Sequence, residues 1–235
     1  MRSKQVNSAL TPGAIDKQDI ESKYRDYVKS DQHPCIIAKS LFNDNSYSLY
    51  YYESMKQDSV AKTINEDIKD FISNYDFNSN TFESFIACFK NDHFETELNF
   101  EIALWDLLQR IHEHDSIDWD ESVSSDIDDK NFSFSIQGKA FYIVGLHPNS
   151  SRISRRSPYV TVVFNLHWQF EKLREMGTFK RVRNRIRKND KRIQGSINPV
   201  LEDFGQDSEV RQYSGRNVDD SWSCPFLNKM QHAED

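Results

Sequence analysis

Ser133-Phe134-Ser135-Ile136-Gln137-Gly138-Lys139-Ala140-Phe141-Tyr142-Ile143-Val144-Gly145-Leu146 sets the architecture. Two aromatic-rich apolar runs, 132–136 and 141–146, flank Gln137-Gly138-Lys139, and this pattern predicts a β-hairpin. The second run ends in His147-Pro148, and Arg152, Arg155 and Arg156 follow among several serines. A buried strand that delivers an imidazole to a cationic loop makes a place for a metal-bearing anionic group, because imidazole ligates metals and guanidinium pairs with carboxylate or phosphate. The plainer alternative is a strand end with a hydrogen-bonded histidine and solvated arginines.

Outward from the hairpin, the valine-rich run 159–164 reads as a third central strand, with further strands at 47–52 and 84–89. Residues 35–38, after His33-Pro34, read as a short entering strand. Helical spacing of apolar residues marks 60–75, and 95–114 with Leu98, Ile102, Trp105, Leu108 and Ile111 on one face. A short helix fits 19–28, with Tyr24, Tyr27 and Val28 on one side. Asn165 reads as the N-cap of a helix that stops at Gly177, and 179–194 as a last helix. The expected fold is α+β (mixed α/β): a central, mainly antiparallel sheet covered by helices, one domain over 19–235. Residues 1–18, polar and broken by Thr11-Pro12-Gly13, are expected to be a disordered leader.

Only 37% of the 235 residues are apolar, but 16 Phe, 10 Tyr and 4 Trp bury a large area each and supply a core. The net charge of −7 argues against bulk attraction to nucleic acid or anionic membrane. The charge is uneven, with acids clustered at 118–121 and 126–129 and cations over 152–192. Three cysteines form no paired framework and no zinc spacing, which fits a reducing compartment. No signal segment and no membrane-spanning run is visible, so a soluble, cytoplasmic protein is expected.

A zinc site at His147 would need further ligands at short spacing, and none lie nearby. Heme needs a single axial ligand, so a lone histidine followed by arginines favours heme over zinc. Cys224-Pro225-Phe226, preceded by Trp222, is a second axial candidate: a thiolate favours O–O cleavage, although a free cysteine is often a small buried residue. His167 is either a first-turn polar residue or a group over the cofactor. Tyr213 and Arg216, in the turn Gln212-Tyr213-Ser214-Gly215-Arg216, could bind a propionate or a substrate carboxylate. The cationic helix 179–194 is the best argument for a nucleic-acid-binding rival, but it lacks aromatic interleaving and any known motif.

Taken together, Gly145-Leu146-His147-Pro148 with Ser151-Arg152 and Arg155-Arg156, Phe164-Asn165-x-His167-x-Gln169-Phe170-Glu171-x-Leu173-Arg174, Gly195-Ser196-x-Asn198-Pro199, Arg211-Gln212-Tyr213-Ser214-Gly215-Arg216 and Trp222-x-Cys224-Pro225-Phe226 resemble the YqcI/YcgG family. Pro34-Cys35 with Ala38-Lys39-Ser40, and Leu104-Trp105 with Leu108-Gln109, are similar too. The resemblance implies heme b (iron protoporphyrin IX), dioxygen and an electron donor, and hydroxylation of a guanidine nitrogen of arginine or an arginine-derived small molecule. On that reading His147, with Cys224 the runner-up, holds the iron; Arg152, Arg155, Arg156, Tyr213 and Arg216 meet the cofactor; and His167 acts in catalysis. A heme-binding sensor or carrier without turnover is the alternative, a membrane role is excluded, nucleic acid is disfavoured, and a homodimer is left open.

Overall fold

Gln137 and Gly138 take φ of 52° and 67°. Two successive left-handed residues are what a two-residue type I′ hairpin turn demands. They join β3 (Phe134–Ile136) to β4 (Lys139–Leu146), with Phe134 opposite Phe141. β4 continues antiparallel against β5 (Val160–Leu166), and β5 against β2 (Ser84–Phe89). β1 (Tyr47–Tyr52) then pairs parallel with β2, and the strand order is β1-β2-β5-β4-β3. The computed structural model describes residues 17–197 and 205–228, and within them the chain is a single-domain α+β fold. The expected leader over 1–18 therefore lies almost wholly outside the described residues, as do Asn198 and Pro199.

Strand alternation sends side chains to two faces. Phe85, Phe89, Phe141, Ile143, Val162 and Phe164 join the main core, which α3 (Asp58–Asn74) and α4 (Glu97–His114) cover. Ile86, Cys88, Thr161, Val163, Asn165, Tyr142 and Val144 alternate with them and so face the other way. There α1 (Lys17–Lys29) and α2 (Ile36–Asp44) pack through Ile20, Tyr24 and Phe42, and α5 (His167–Glu175) and α6 (Phe179–Gln194) complete the layer.

Three expectations are corrected. Residues 35–38 open α2 and form no strand: Cys35 is its N-cap, and its sulfur accepts a hydrogen bond from the Ala38 amide. Four apolar residues in a row fit a buried strand or a buried helix turn equally well. Leu98 and Ile102 of α4 are 51% and 59% exposed, while Phe100, Leu104, Leu107, Leu108 and Ile111 are buried. This helix is apolar round more than half its girth, so gaps of three and four trace two stripes, and Trp105, Leu108 and Ile111 belong to both. Asn165 lies within β5 opposite Tyr142, and its side chain accepts from the Ser84 hydroxyl, so α5 begins at His167 without a side-chain cap.

β3 pairs only with residues 139–141 of β4, and a tail segment covers the rest of that edge. The Gly145 amide donates to the Tyr213 carbonyl at 2.7 Å. A Cβ on Gly145 would stand 2.9 Å from both the Phe100 ring and that carbonyl, so this close approach requires glycine.

Candidate functional site

The helices of the second layer do not close fully over the sheet. Between them lies a cavity of ≈ 360 Å³, within the range of small-molecule sites. Its floor is Ile86, Val144, Leu146 and Val163, and its walls include Leu41, Phe42, Phe170, Leu173, Phe179, Val182 and Ile186. The apolar seam of α6 (Val182, Ile186) thus faces the cavity, which leaves Lys180, Arg181, Arg185 and Lys188 exposed outside.

Few groups in the cavity bear chemistry. His33 and Cys35 come from the turn before α2, and His167 from the start of α5. Burial pushes the His33 and His167 imidazoles down to about 4, so both are neutral at physiological pH. Nearby cations, Lys39 for His33 and Arg174 for His167, act in the same direction. Burial pushes the Cys35 thiol up, while the Ala38 and Ile37 amides at the amino end of α2 oppose the shift. Five arginines (Arg152, Arg155, Arg174, Arg183, Arg187) and two carboxyl residues (Asp190, Glu209) line the cavity among the described residues.

The structure disperses the expected site residues. Arg155 lines the cavity, but its guanidinium donates to the carbonyls of Gly145 at 2.8 Å, Gln212 at 3.0 Å and Tyr213 at 3.3 Å. It clamps the tail to the end of β4. Arg152 also lines the cavity and pairs with Asp190 at 2.5 Å. Arg156 donates to the Ser150 and Ser151 carbonyls, beside a separate shallow pocket. Arg216 pairs with Glu101 of α4 at 2.6 Å, and Tyr213 is buried with its hydroxyl on Glu209. His147 stacks on Phe100 of α4, ring centroids 4.6 Å apart, on the face away from the cavity. Both its ring nitrogens are buried without a hydrogen-bond partner among the described residues. Cys224 packs with Trp222 against the main core, and burial pushes its thiol up to about 12. Of the expected set, His167, Arg152 and Arg155 line the cavity; Arg156, His147, Tyr213, Arg216 and Cys224 do not.

Cys35 and Glu209 line the cavity but are not among the residues expected there from the sequence. Cysteine is not a preferred helix cap and Pro34 precedes the cap, so the four apolar residues that follow Pro34 read equally well as a strand. Glu209 left no local mark, because only the tail's return across β4 brings it to Ser133.

The model of the YqcI/YcgG family matches residues 24–227, nearly the whole described chain. The chain belongs to the YqcI/YcgG family. It is 24% identical over 220 residues to the uncharacterized protein YqcI of Bacillus subtilis (strain 168), covering 87% of this chain and 84% of that one. It is likewise 24% identical over 225 residues to the uncharacterized protein YcgG of the same organism, covering 86% of each chain. No solved structure matches it. Among the described residues no helix is long and apolar enough to cross a membrane, and no group of three or more His, Cys, Asp or Glu is placed to hold a metal ion. Heme asks for less, since the porphyrin supplies four ligands and the protein one. The cavity's donor chemistry fits: apolar walls, a thiol at a helix amino end, neutral imidazoles, and arginines for carboxylates.

Proposed function

We propose that this YqcI/YcgG family member is a heme-dependent oxygenase that hydroxylates a guanidine nitrogen of arginine or an arginine-derived small molecule. The observation that carries the reading is the apolar cavity, which gathers Cys35, His33 and His167 over the sheet. Heme, when bound, supplies the activation of dioxygen with electrons from an external donor.

Cys35, which lines the cavity at the start of α2, would hold the heme iron in place of His147 or Cys224, the Ala38 and Ile37 amides partly offsetting the burial that raises its thiol. Arg183 and Arg187 of α6 bring positive charge to the cavity wall and suit the cofactor's carboxylates. His167 lines the same cavity and keeps a neutral ring, which would offer a polar hydrogen-bonding group to the bound substrate. The apolar floor excludes water, which strengthens each polar contact in the site.

The test is an absorption spectrum of the purified protein with hemin, oxidised, reduced and with carbon monoxide. A stoichiometric Soret band with the thiolate position is expected, lost or shifted in Cys35→Ala and kept in His147→Ala and Cys224→Ala. Loss in His147→Ala alone would return the ligand to His147. No Soret band in wild type would overturn the oxygenase. A band without substrate-induced change or hydroxylated product would mark a sensor or carrier.

A further inference from the structure

We infer that Glu209 receives the substrate's guanidinium, forming the ion pair that decides which end of the substrate enters the cavity. The inference rests on the proposed substrate class. A cation entering a cavity lined by five arginines needs an acidic partner, and two carboxyl residues are at hand among the described residues. Asp190 is taken by Arg152 at 2.5 Å. Glu209 is held but not spent: its Oε1 accepts from the Tyr213 hydroxyl at 2.5 Å and the Ser133 hydroxyl at 2.9 Å. Its Oε2 takes part in no hydrogen bond among the described residues. Two donors on one oxygen fix the carboxyl plane and leave the second oxygen for an incoming N–H donor.

The surroundings set its charge. Burial pushes the carboxyl up to about 8, opposed by the Tyr213 and Ser133 hydrogen bonds and by Arg174. Tyr142 of β4 lines the same cavity, raised to about 12 by burial, and Arg155 lies near it. Arg174 carries its own counter-ion, Glu171, one turn earlier on α5. Glu209 is therefore protonated at neutral pH when no ligand is bound. When a guanidinium binds, the carboxyl proton leaves to solvent and the carboxylate pairs with the cation. Binding thus releases up to one proton and tightens as pH rises toward about 8.

The test is calorimetry of L-arginine and of citrulline, its uncharged analogue, binding to heme-free and heme-loaded protein in buffers of different ionisation heat. At pH 7, wild type is expected to release most of one proton per L-arginine and none per citrulline. Glu209→Gln should bind L-arginine at least about tenfold more weakly without proton release, while hemin uptake and the far-UV spectrum stay unchanged. Equal affinity and proton release in Glu209→Gln would overturn the inference. Should that variant fail to fold, Ser133→Ala serves. It keeps the carboxyl but removes a donor that favours its ionised form, so the pH midpoint of L-arginine binding should rise, and an unmoved midpoint counts against the role. The two readings fail separately. Heme uptake without L-arginine binding sinks the Glu209 role, whereas proton-linked L-arginine binding without heme sinks the oxygenase.

Discussion

Buried ionisable residues give this protein a narrow range of best stability. His33 and His167 have folded pKa values near 4 against an ordinary 6.5, so below 6.5 the unfolded chain takes up more protons and stability falls as pH drops. His147 is also lowered by burial and adds to the same limb. Glu209 works in reverse. Its folded value near 8 against 4.5 means the unfolded chain has lost a proton that the native state keeps, so stability falls as pH rises between those values. Below 6.5 the effects oppose each other, and the two imidazoles shifted to about 4 outweigh one carboxyl. Urea unfolding across pH 4–9 should therefore show a maximum near pH 6.5. Glu209→Gln should flatten the alkaline limb, whose slope cannot exceed about 1.4 kcal/mol per pH unit for one proton. An unchanged limb in that variant would mean that Glu209 is not protonated in the native state.

At the scale of elements, α4 works as a post to which the tail is tied. Glu101, buried on that helix, accepts from the Ser214 hydroxyl at 2.7 Å, from Arg216 at 2.6 Å and from the Trp222 indole at 3.1 Å. Arg155 fastens the same segment to β4, donating to the tail carbonyls of Gln212 and Tyr213 and to the Gly145 carbonyl of β4. Arg155 and Arg216, expected from the sequence to meet the cofactor, thus hold the tail in place. Removing Glu101 leaves three donors without their acceptor, but Arg216 is partly solvated, so the cost is smaller than for a fully buried pair. Glu101→Ala is expected to lower stability by about 1–3 kcal/mol and to open the chain after residue 205 to limited proteolysis. A protease pattern identical to wild type would show that other contacts hold the tail.

For the whole molecule, the decisive feature is that the two sheet faces are packed differently. One is sealed by α3 and α4, and the other keeps a cavity under α1, α2, α5 and α6. Adding bulk to a packed core usually costs about 1–3 kcal/mol, but at the cavity floor there is space to receive it. Val163→Trp should therefore leave the melting temperature unchanged or raised while abolishing hemin uptake. Undiminished uptake would place the cofactor elsewhere, with His147, whose ring nitrogens have no hydrogen-bond partner among the described residues, the first candidate.

Periodicity and turn chemistry determined much of this protein. Gln137-Gly138 specified the hairpin, apolar runs rich in aromatic and β-branched residues specified β4 and β5, and helical spacing specified α3, α4 and α6, because these signals come from neighbours along the chain. Family membership, too, was legible from motifs spread over the chain. The site was less so. Which stripe of α4 is buried, that Arg155 and Arg216 tie down a tail, and that Glu209 meets Ser133 all depend on contacts between distant segments. Only packing assigns a partner to a buried charge. The sequence supplies the imidazoles, thiols and guanidiniums, and the tertiary structure decides which of them reach the cavity and which are consumed in tying the tail to the sheet and α4.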